Sequence, residues 1–585
     1  MIIVGNKCIP GISTVFAVFL LTLCLSLLTL SVSITQANAQ SLPSTGAPGP
    51  DGTADTNPLA TRSSLTGELE IRHEDFAHSA RYLYFLKTAD GRRVRLRFAK
   101  HPPTDMLTGD HVSVRGTQSG TSIMLASGGS VTNLSKLSKP QPSPSPPPSG
   151  PLPNSLGAQS TLVILVNFQD DPTNQPYTVA DAQGVVFGTA SSFLMENSYQ
   201  QTWLTGDVVG WYTIPVSSTT CDTSSIAADA QSAATAAGIN LAAYTHYVYA
   251  FPQSNACGFA GSSLIGGIPS QSWINGTNGS ASIDMHVIDH ELGHAFGLWH
   301  SHLLDCGTDA TIGSNCAVDE YGDILDTMGA PQAASPQYNA FQKERLGWLN
   351  YGTSPSITTV TSSGTYTIEN YETAGSGPLA LKILKSTDPT TGAKTWYYVE
   401  ARQALGFDSF IAGETSENET DGVLMHIGTD GDGNSGDLLD MTPATPTYYF
   451  WFDPSLVVSQ SFNDPSAGLT LTTTSVAGQQ AAVTVQFSGS VTVATNQQTY
   501  SPGQTVSTTA IATFAGVPAA NVSVNFTITK ANGNVVAGSA TTGTNGAAVY
   551  KLKLAKTDPA GSYLAAAATT IKGTPHSANA NFNVQ

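Results

Sequence analysis

The run HELGHAFGLWH, residues 290–300, gathers three histidines and a glutamate in a chain that holds only 12 histidines among 585 residues. His290 and His294 are four apart. On a helix both imidazoles project from one face, a turn apart, and can chelate one ion. Glu291 follows the first of them and can lean over that ion without ligating it. Gly297 lets the chain leave the helix with positive φ, and the turn brings His300 back as a third ligand. Three neutral imidazoles suit Zn²⁺ and leave a fourth tetrahedral position for water. Zinc there lowers the pKa of the water toward ~7. Glu291 then serves as general base and afterwards as general acid toward the leaving amine of a peptide bond. Chance produces this pattern on the order of once in 10⁵ chains of this length.

A helix must carry the first two histidines. Ser282 or Asp284 can cap it, and Ile288, Leu292, Ala295 and Trp299 form an apolar stripe that faces a core. His286, one turn before His290, and His302, two after His300, read as surface or outer histidines. Asp289 and Asp305 could orient the ligand imidazoles, although such residues are more often solvated.

The whole chain is too long for one core. It carries 24 basic against 42 acidic residues, a formal net charge of −18, and only 11% charged residues. That balance gives no reason to bind nucleic acid or an anionic membrane. Residues 1–39 read as a signal peptide, with Lys7 in the n-region, an apolar run, and cleavage after Ala39. A secreted protein without stable membrane insertion is expected. Cys8 and Cys24 fall in the signal. Cys221, Cys257, Cys306 and Cys316 remain and suggest sequence-local disulfides. Residues 40–63 read as a flexible segment and 64–134 as a small β domain, for which a five-stranded barrel is the expected form. Residues 135–157 are a Pro/Ser-rich linker. Strands alternate with helices over 158–350, an α/β (α+β) pattern. All-β patterning follows, as a sandwich over 351–488 and an immunoglobulin-like unit over 489–585.

His-Glu-x-x-His-x-x-Gly-x-x-His followed by a methionine turn is similar to the metzincin signature. The turn is YGDILDTMG, Tyr321–Gly329, and the resemblance implies that Met328 forms an apolar floor under the imidazoles. The stretches SYQQTWLTGDVVGWYTIP (198–215), GGIPSQSWING (266–276), FQKERLGWL (341–349) and WYYVEARQALGFD (396–408) resemble the gametolysin family. The resemblance implies a metzincin-like catalytic domain flanked by all-β domains, acting as a zinc endopeptidase on extracellular or cell-wall protein. It also implies that the strand around SQSWING borders the cleft, where a peptide substrate adds by backbone hydrogen bonds. SYQQ departs from the Ser-Tyr-Gly expected there. Ala330 stands where some metzincins carry a tyrosine ligand. No cysteine lies between 40 and 157, which excludes a thiol plug on the zinc, and the N-terminal β domain is a hypothetical block of the cleft.

GTDGDGNSGDLLD (428–440) offers Asp430, Asp432 and Asn434 at alternating positions, a pattern shared with Ca²⁺ loops. Its glycine comes late, at Gly436, and no glutamate closes it, so a polar turn is the preferred reading and Ca²⁺ the lesser one. A monomer acting on a protein or peptide substrate is expected. The rival reading is a surface-binding or wall-polymer-binding protein whose peptidase part is inactive or only processes its own precursor. An inactive passenger would be expected to have lost Glu291 or a ligand, and none is lost.

Overall fold

A computed structural model describes residues 61–76, 79–126, 128–134, 150–276, 282–329, 335–388, 390–412, 418–445 and 453–585. The segment read as a signal peptide, residues 40–60 of the one read as flexible, most of the Pro/Ser-rich linker and Ala330 lie outside them.

The chain is multidomain and mostly β, with several sheets. It begins with β1 (Thr61–Phe76), β2 (Ser79–Thr88), β3 (Arg93–Phe98), β4 (His111–Ser119), β5 (Ser122–Leu125) and β6 (Ser130–Asn133). The alternation of short apolar and polar runs builds a closed barrel here. β1 pairs β2, β2 pairs β3, β3 pairs β5, β5 pairs β4, and β4 returns to β1. β1 is long enough to do more. Beyond Glu68 it parts from β4 but stays paired with β2, and over Arg72–Asp75 its other edge pairs with a strand of the next sheet.

That sheet contains β7 (Gly157–Phe168), β8 (Thr202–Ile214), β9 (His246–Phe251), β10 (Gly261–Leu264) and β11 (Ser270–Asn275). Its order is β1-β10-β11-β9-β7-β8. β8, β7, β9 and β11 run parallel, while β10 is antiparallel to β11. β7 shows why such a strand reads as one apolar run. Val163 and Leu165 enter one core with α2 (Ser191–Asn197) and α4 (Met285–Ala295), the fourth helix in chain order after α1 (Val179–Gln183), α2 and α3 (Thr223–Ala236). Leu162, Ile164 and Val166 enter another, beneath α3. Both faces are buried, as in parallel sheets generally. The SQSWING strand, β11, is therefore an interior strand. The edge belongs to β10, and β1 already covers it.

A second sheet crosses the boundary expected at residue 350. It contains β12 (Ser301–Asp305), β13 (Ala317–Asp319), β14 (Ile357–Val360), β16 (Ala380–Thr387), β17 (Lys394–Glu400), β18 (Gly422–Thr429) and β19 (Asp432–Leu439); β15 (Gly364–Glu369) belongs to a smaller neighbouring sheet. β12 runs parallel to β19, with Ser301 opposite Gly436. The segment just after His300 is thus held by a strand from the region read as a separate sandwich, and no break in the sheet falls at 350. The last part of the chain, from Gly489, forms two further sheets of four and five strands. Their facing cores hold Val506, Ile528, Tyr563 and Phe582 on one side and Val524, Phe526 and Ala567 on the other.

The two disulfides join Cys221 to Cys257 and Cys306 to Cys316. The second closes the loop between β12 and β13. Among the described residues no helix is long and apolar enough to cross a membrane.

Candidate active site

α4 starts at Asp284, whose carboxylate accepts from the backbone N–H groups of His286 and Val287 at 3.0 and 3.3 Å. It ends in a left-handed turn at Gly297, φ +99°. The N–H of Leu298 donates to Gly293 O and that of Gly297 to His294 O, at 3.0 and 2.8 Å. This paired closure is why glycine is needed at that position. Ile288, Leu292 and Ala295 face the core as a helical stripe should. Trp299 lies beyond the helix and packs elsewhere. It joins Leu69, Ile71 and Tyr84 in the core of the N-terminal barrel and stacks on Tyr82, centroids 4.9 Å apart.

His290, His294 and His300 converge, with ring centroids 4.8, 5.3 and 5.1 Å apart pairwise. Each Nδ1 is already committed. That of His290 lies 2.7 Å from Thr327 O, that of His294 2.9 Å from Leu298 O, and that of His300 2.6 Å from a Glu320 carboxylate oxygen. Against such acceptors Nδ1 must be the N–H, which leaves each Nε2 with a lone pair. The Nε2 atoms of His290 and His294 are buried and have no hydrogen-bond partner. This donor set fits a metal that takes imidazole nitrogen, and buried orphan acceptors are otherwise costly.

Asp75, at the end of β1, faces the same point. Its Oδ1 is 3.0 Å from His300 Nε2 and 3.4 Å from His290 Nε2, and its Oδ2 is 3.8 Å from His294 Nε2. Acceptor lone pairs facing one another at this range repel unless a cation lies between them. A tetrahedral zinc with bonds of about 2.0–2.2 Å spaces its ligand atoms about 3.3–3.6 Å apart, and the three distances here, 3.0, 3.4 and 3.8 Å, lie on either side of that spacing. Burial would raise the Asp75 carboxyl, but His73 and His290 outweigh it and hold it well below the usual range. The tightest group of donor atoms is His73, Asp75, His294 and His300, all within 4.8 Å. His73 meets Asp75 through Nδ1, at 3.0 Å, and so stands behind the carboxylate. His290 lies outside that group, and its Nε2, like those of His73 and His294, is buried without a hydrogen-bond partner; the three motif imidazoles differ from His73 in that none has its Nδ1 against Asp75.

Glu291 is buried beside these groups. Burial, and then the Asp75 charge, push its carboxyl well above the ordinary range. A methyl at Gly261, the first residue of β10, would strike the Glu291 carboxylate. Glycine there makes room for the acid. Met328 is fully buried, and a methyl at Gly293 would meet its sulfur. The methionine thus packs directly against α4 between the two helical histidines. Its turn is fixed by Asp326, which accepts from the N–H groups of Met328 and Asn339, both at 2.7 Å.

The outer residues are not all those expected. Asp305 caps its own turn through Gly307 N–H. Asp289 touches none of the three imidazoles, and burial raises its carboxyl well above the usual range. His286 sits 5.9 Å from the His290 ring, and His302 pairs with Asp437 at 3.2 Å. The carboxylate that orients His300 is Glu320, delivered by the disulfide-closed β12–β13 hairpin. Burial opposes its ionisation, but the His300 bond brings its pKa down to about 2. Tyr321 comes next, at φ +59°. Its hydroxyl donates to Asp75 Oδ1 at 2.7 Å and its ring lies 4.1 Å from that of His300. Sequence reading found neither role. The one available signal was their place directly before the methionine turn. Glu320→Gln is expected to weaken metal binding about 10–100-fold, read by competition with a chromogenic chelator.

The 428–440 stretch is the β18–β19 hairpin. Asp430 accepts from Trp396 Nε1 at 2.9 Å, while Asp432 accepts from Thr104 Oγ1 at 2.6 Å and from Asn434 N–H. These carboxylates serve separate partners and do not converge. In SYQQ, Tyr199 and Gln200 take positive φ, +55° and +66°. The left-handed turn is kept without its glycine.

Residues 188–408 match the family model described as gametolysin peptidase M11. This segment is gametolysin-like. The match covers less than half of the chain, runs past position 350, and contains the whole histidine motif. It is to a family of metallopeptidases. A search of curated proteins finds no match. Among solved structures, a tetra-tandem repeat in the extending region of a large adhesion protein is 16% identical, covering 38% of this chain and 50% of that one, TM-score 0.15. The sporulation control protein Spo0M of Bacillus subtilis is 13% identical, covering 17% and 49%, TM-score 0.13. The D00-D0 domain of intimin is 15% identical, covering 39% and 95%, TM-score 0.15. The chain spans about half the length of the first two. Likeness at these scores carries no argument about the gametolysin-like segment.

Proposed function

We propose that the protein is a secreted zinc-dependent endopeptidase acting on extracellular or cell-wall proteins. The observation that supports this most is the convergence of three imidazoles whose Nδ1 atoms are each occupied and whose Nε2 lone pairs are left to one ion. His290, His294 and His300 would hold zinc, which would supply a Lewis acid for the scissile carbonyl and for the attacking water. Glu291, buried beside these groups, would take a proton from the attacking water and return it to the leaving amine. The Tyr321 hydroxyl is one carboxylate oxygen away from His300 Nε2. Burial and then Asp75 raise its pKa far above the phenol range, so it remains a donor and can bind the carbonyl oxygen as negative charge develops. The edge of β10, which β1 covers in this chain, would offer backbone groups to an extended substrate once β1 is displaced. Two disulfides suit an oxidising compartment.

The test is casein hydrolysis by the purified full chain and by its Asp75→Ala variant, before and after 1,10-phenanthroline and then with zinc restored. Zinc-dependent cleavage supports the peptidase. No cleavage in any arm, together with no zinc bound by the chain, favours the binding-protein reading. Tyr321→Phe should lower kcat by roughly 10²-fold with little change in KM, the behaviour of a donor that acts mainly in the transition state.

A further inference from the structure

We propose that Asp75 is the fourth ligand of the metal in the intact chain, and that the N-terminal barrel keeps the enzyme latent by laying β1 along the substrate edge of the catalytic sheet. The inference rests on the metallopeptidase reading above and goes beyond it.

The backbone evidence is a register. Arg72, His73, Glu74 and Asp75 of β1 lie opposite Leu264, Ser263, Ser262 and Gly261 of β10, antiparallel. Ala260 N–H donates to Asp75 O and Ile265 N–H to Ile71 O, both at 2.9 Å. β1 therefore makes the bonds that an extended substrate would make. Side chains alternate along a strand, so residues 73 and 75 share one face and 72 and 74 the other. The inward face carries His73 and Asp75, both buried. The opposite face carries Arg72 and Glu74, bonded to one another at 2.7 Å, with Arg81 adding to the Glu74 carboxylate. A slip of one residue would exchange these faces, so the ion pairs of the opposite face help to hold Asp75 over the histidines.

The carboxylate is oriented from two sides. His73 Nδ1 lies 3.0 Å from one oxygen and the Tyr321 hydroxyl 2.7 Å from the other, which faces His300 Nε2 at 3.0 Å. It stands where the attacking water must be. The same geometry that makes Tyr321 a candidate donor to substrate leaves it donating to Asp75 in the intact chain. The barrel is seated firmly. Its core includes Trp299 and Ile265 from the catalytic part, and Leu107 fills the space beside Gly266 and Gly297. Trp299 immediately precedes the third ligand, so docking of the barrel and placement of His300 share one contact surface. A carboxylate here does the work for which no cysteine is present.

The test uses the full chain loaded with Co²⁺, whose visible absorption reports the ligand set, together with a small hydroxamate that needs the open metal position. Asp75→Asn and Asp75→Ala are compared with the parent, and circular dichroism checks folding. The intact chain is expected to bind one Co²⁺ with a spectrum that the hydroxamate barely alters. The variants should bind one Co²⁺ with a changed spectrum and take the hydroxamate at least 10-fold more tightly. Parent and variants that bind the hydroxamate equally, with identical spectra, would overturn the assignment while leaving the metal site intact. A parent that takes up no Co²⁺ would instead overturn the metallopeptidase reading and this inference with it. The milder Asp75→Asn keeps the shape of the side chain and decides the matter where Asp75→Ala fails to fold.

Discussion

Glu291→Gln is expected to lower kcat/KM on casein by about 10²–10⁴-fold while leaving bound zinc near one per chain. The amide keeps the volume and a hydrogen-bonding oxygen, but it cannot accept and return a proton at neutral pH. The residue makes no contact with the imidazole nitrogens that would hold the ion, whose Nδ1 partners are Thr327, Leu298 and Glu320. Metal content should therefore survive. The comparison is made in the parent chain and again with Asp75→Ala, so that a covered site is not mistaken for a missing base. A variant that loses both zinc and activity would make Glu291 a structural residue. One that keeps full activity would remove it from the mechanism.

The second large effect lies away from the histidines. Arg402 is fully buried between two buried carboxylates, at 2.8 Å from Glu400 and 2.8 Å from Asp408. It also donates to Gln337 O at 3.1 Å. The carboxylates in turn accept from the backbone, Glu400 from Ala340 N–H and Asp408 from Gln337 N–H, at 2.8 and 2.9 Å. This network fastens the segment after the methionine turn to the second sheet. Removing one partner of a buried ion pair costs about 3–5 kcal/mol, because the other is left charged and unpaired. Arg402→Met is expected to destabilise by about that amount, measured by urea unfolding of the full chain. A loss under about 1 kcal/mol would show that the cluster tolerates an uncompensated charge. A chain ended at 350 lacks all three charged residues and β19, and it should not fold.

Much of the site was legible because a metal site is written in local spacing. His290, Glu291, His294 and Gly297 act through one helix and its exit, and periodicity describes such an object well. The same holds for the barrel, whose alternating runs became β1–β6. Contacts between distant segments were not legible. Asp75 lies more than two hundred positions from His290, in a strand whose pattern is that of any barrel strand. Glu320 and Tyr321 owe their positions to a hairpin and a disulfide, and apart from their place at the start of the methionine-turn stretch nothing in their neighbours signals a role. The boundary at 350 was drawn where helical periodicity stops. Sheet pairing ignores that change, and β12 finds its partner in β19. The stretch at 396–408 was noticed as a resemblance, and the structure gives its physical content, since Glu400, Arg402 and Asp408 are the buried charge cluster.

The β12–β19 pairing also sets a schedule for synthesis. The strand that follows the third histidine cannot complete its ladder until position 436, opposite position 301, has emerged. At about 5–20 residues per second this delay is roughly 7–27 s. β1, by contrast, is made well before any histidine of the motif. The strand that covers the β10 edge is therefore already made when the ladder after His300 is completed.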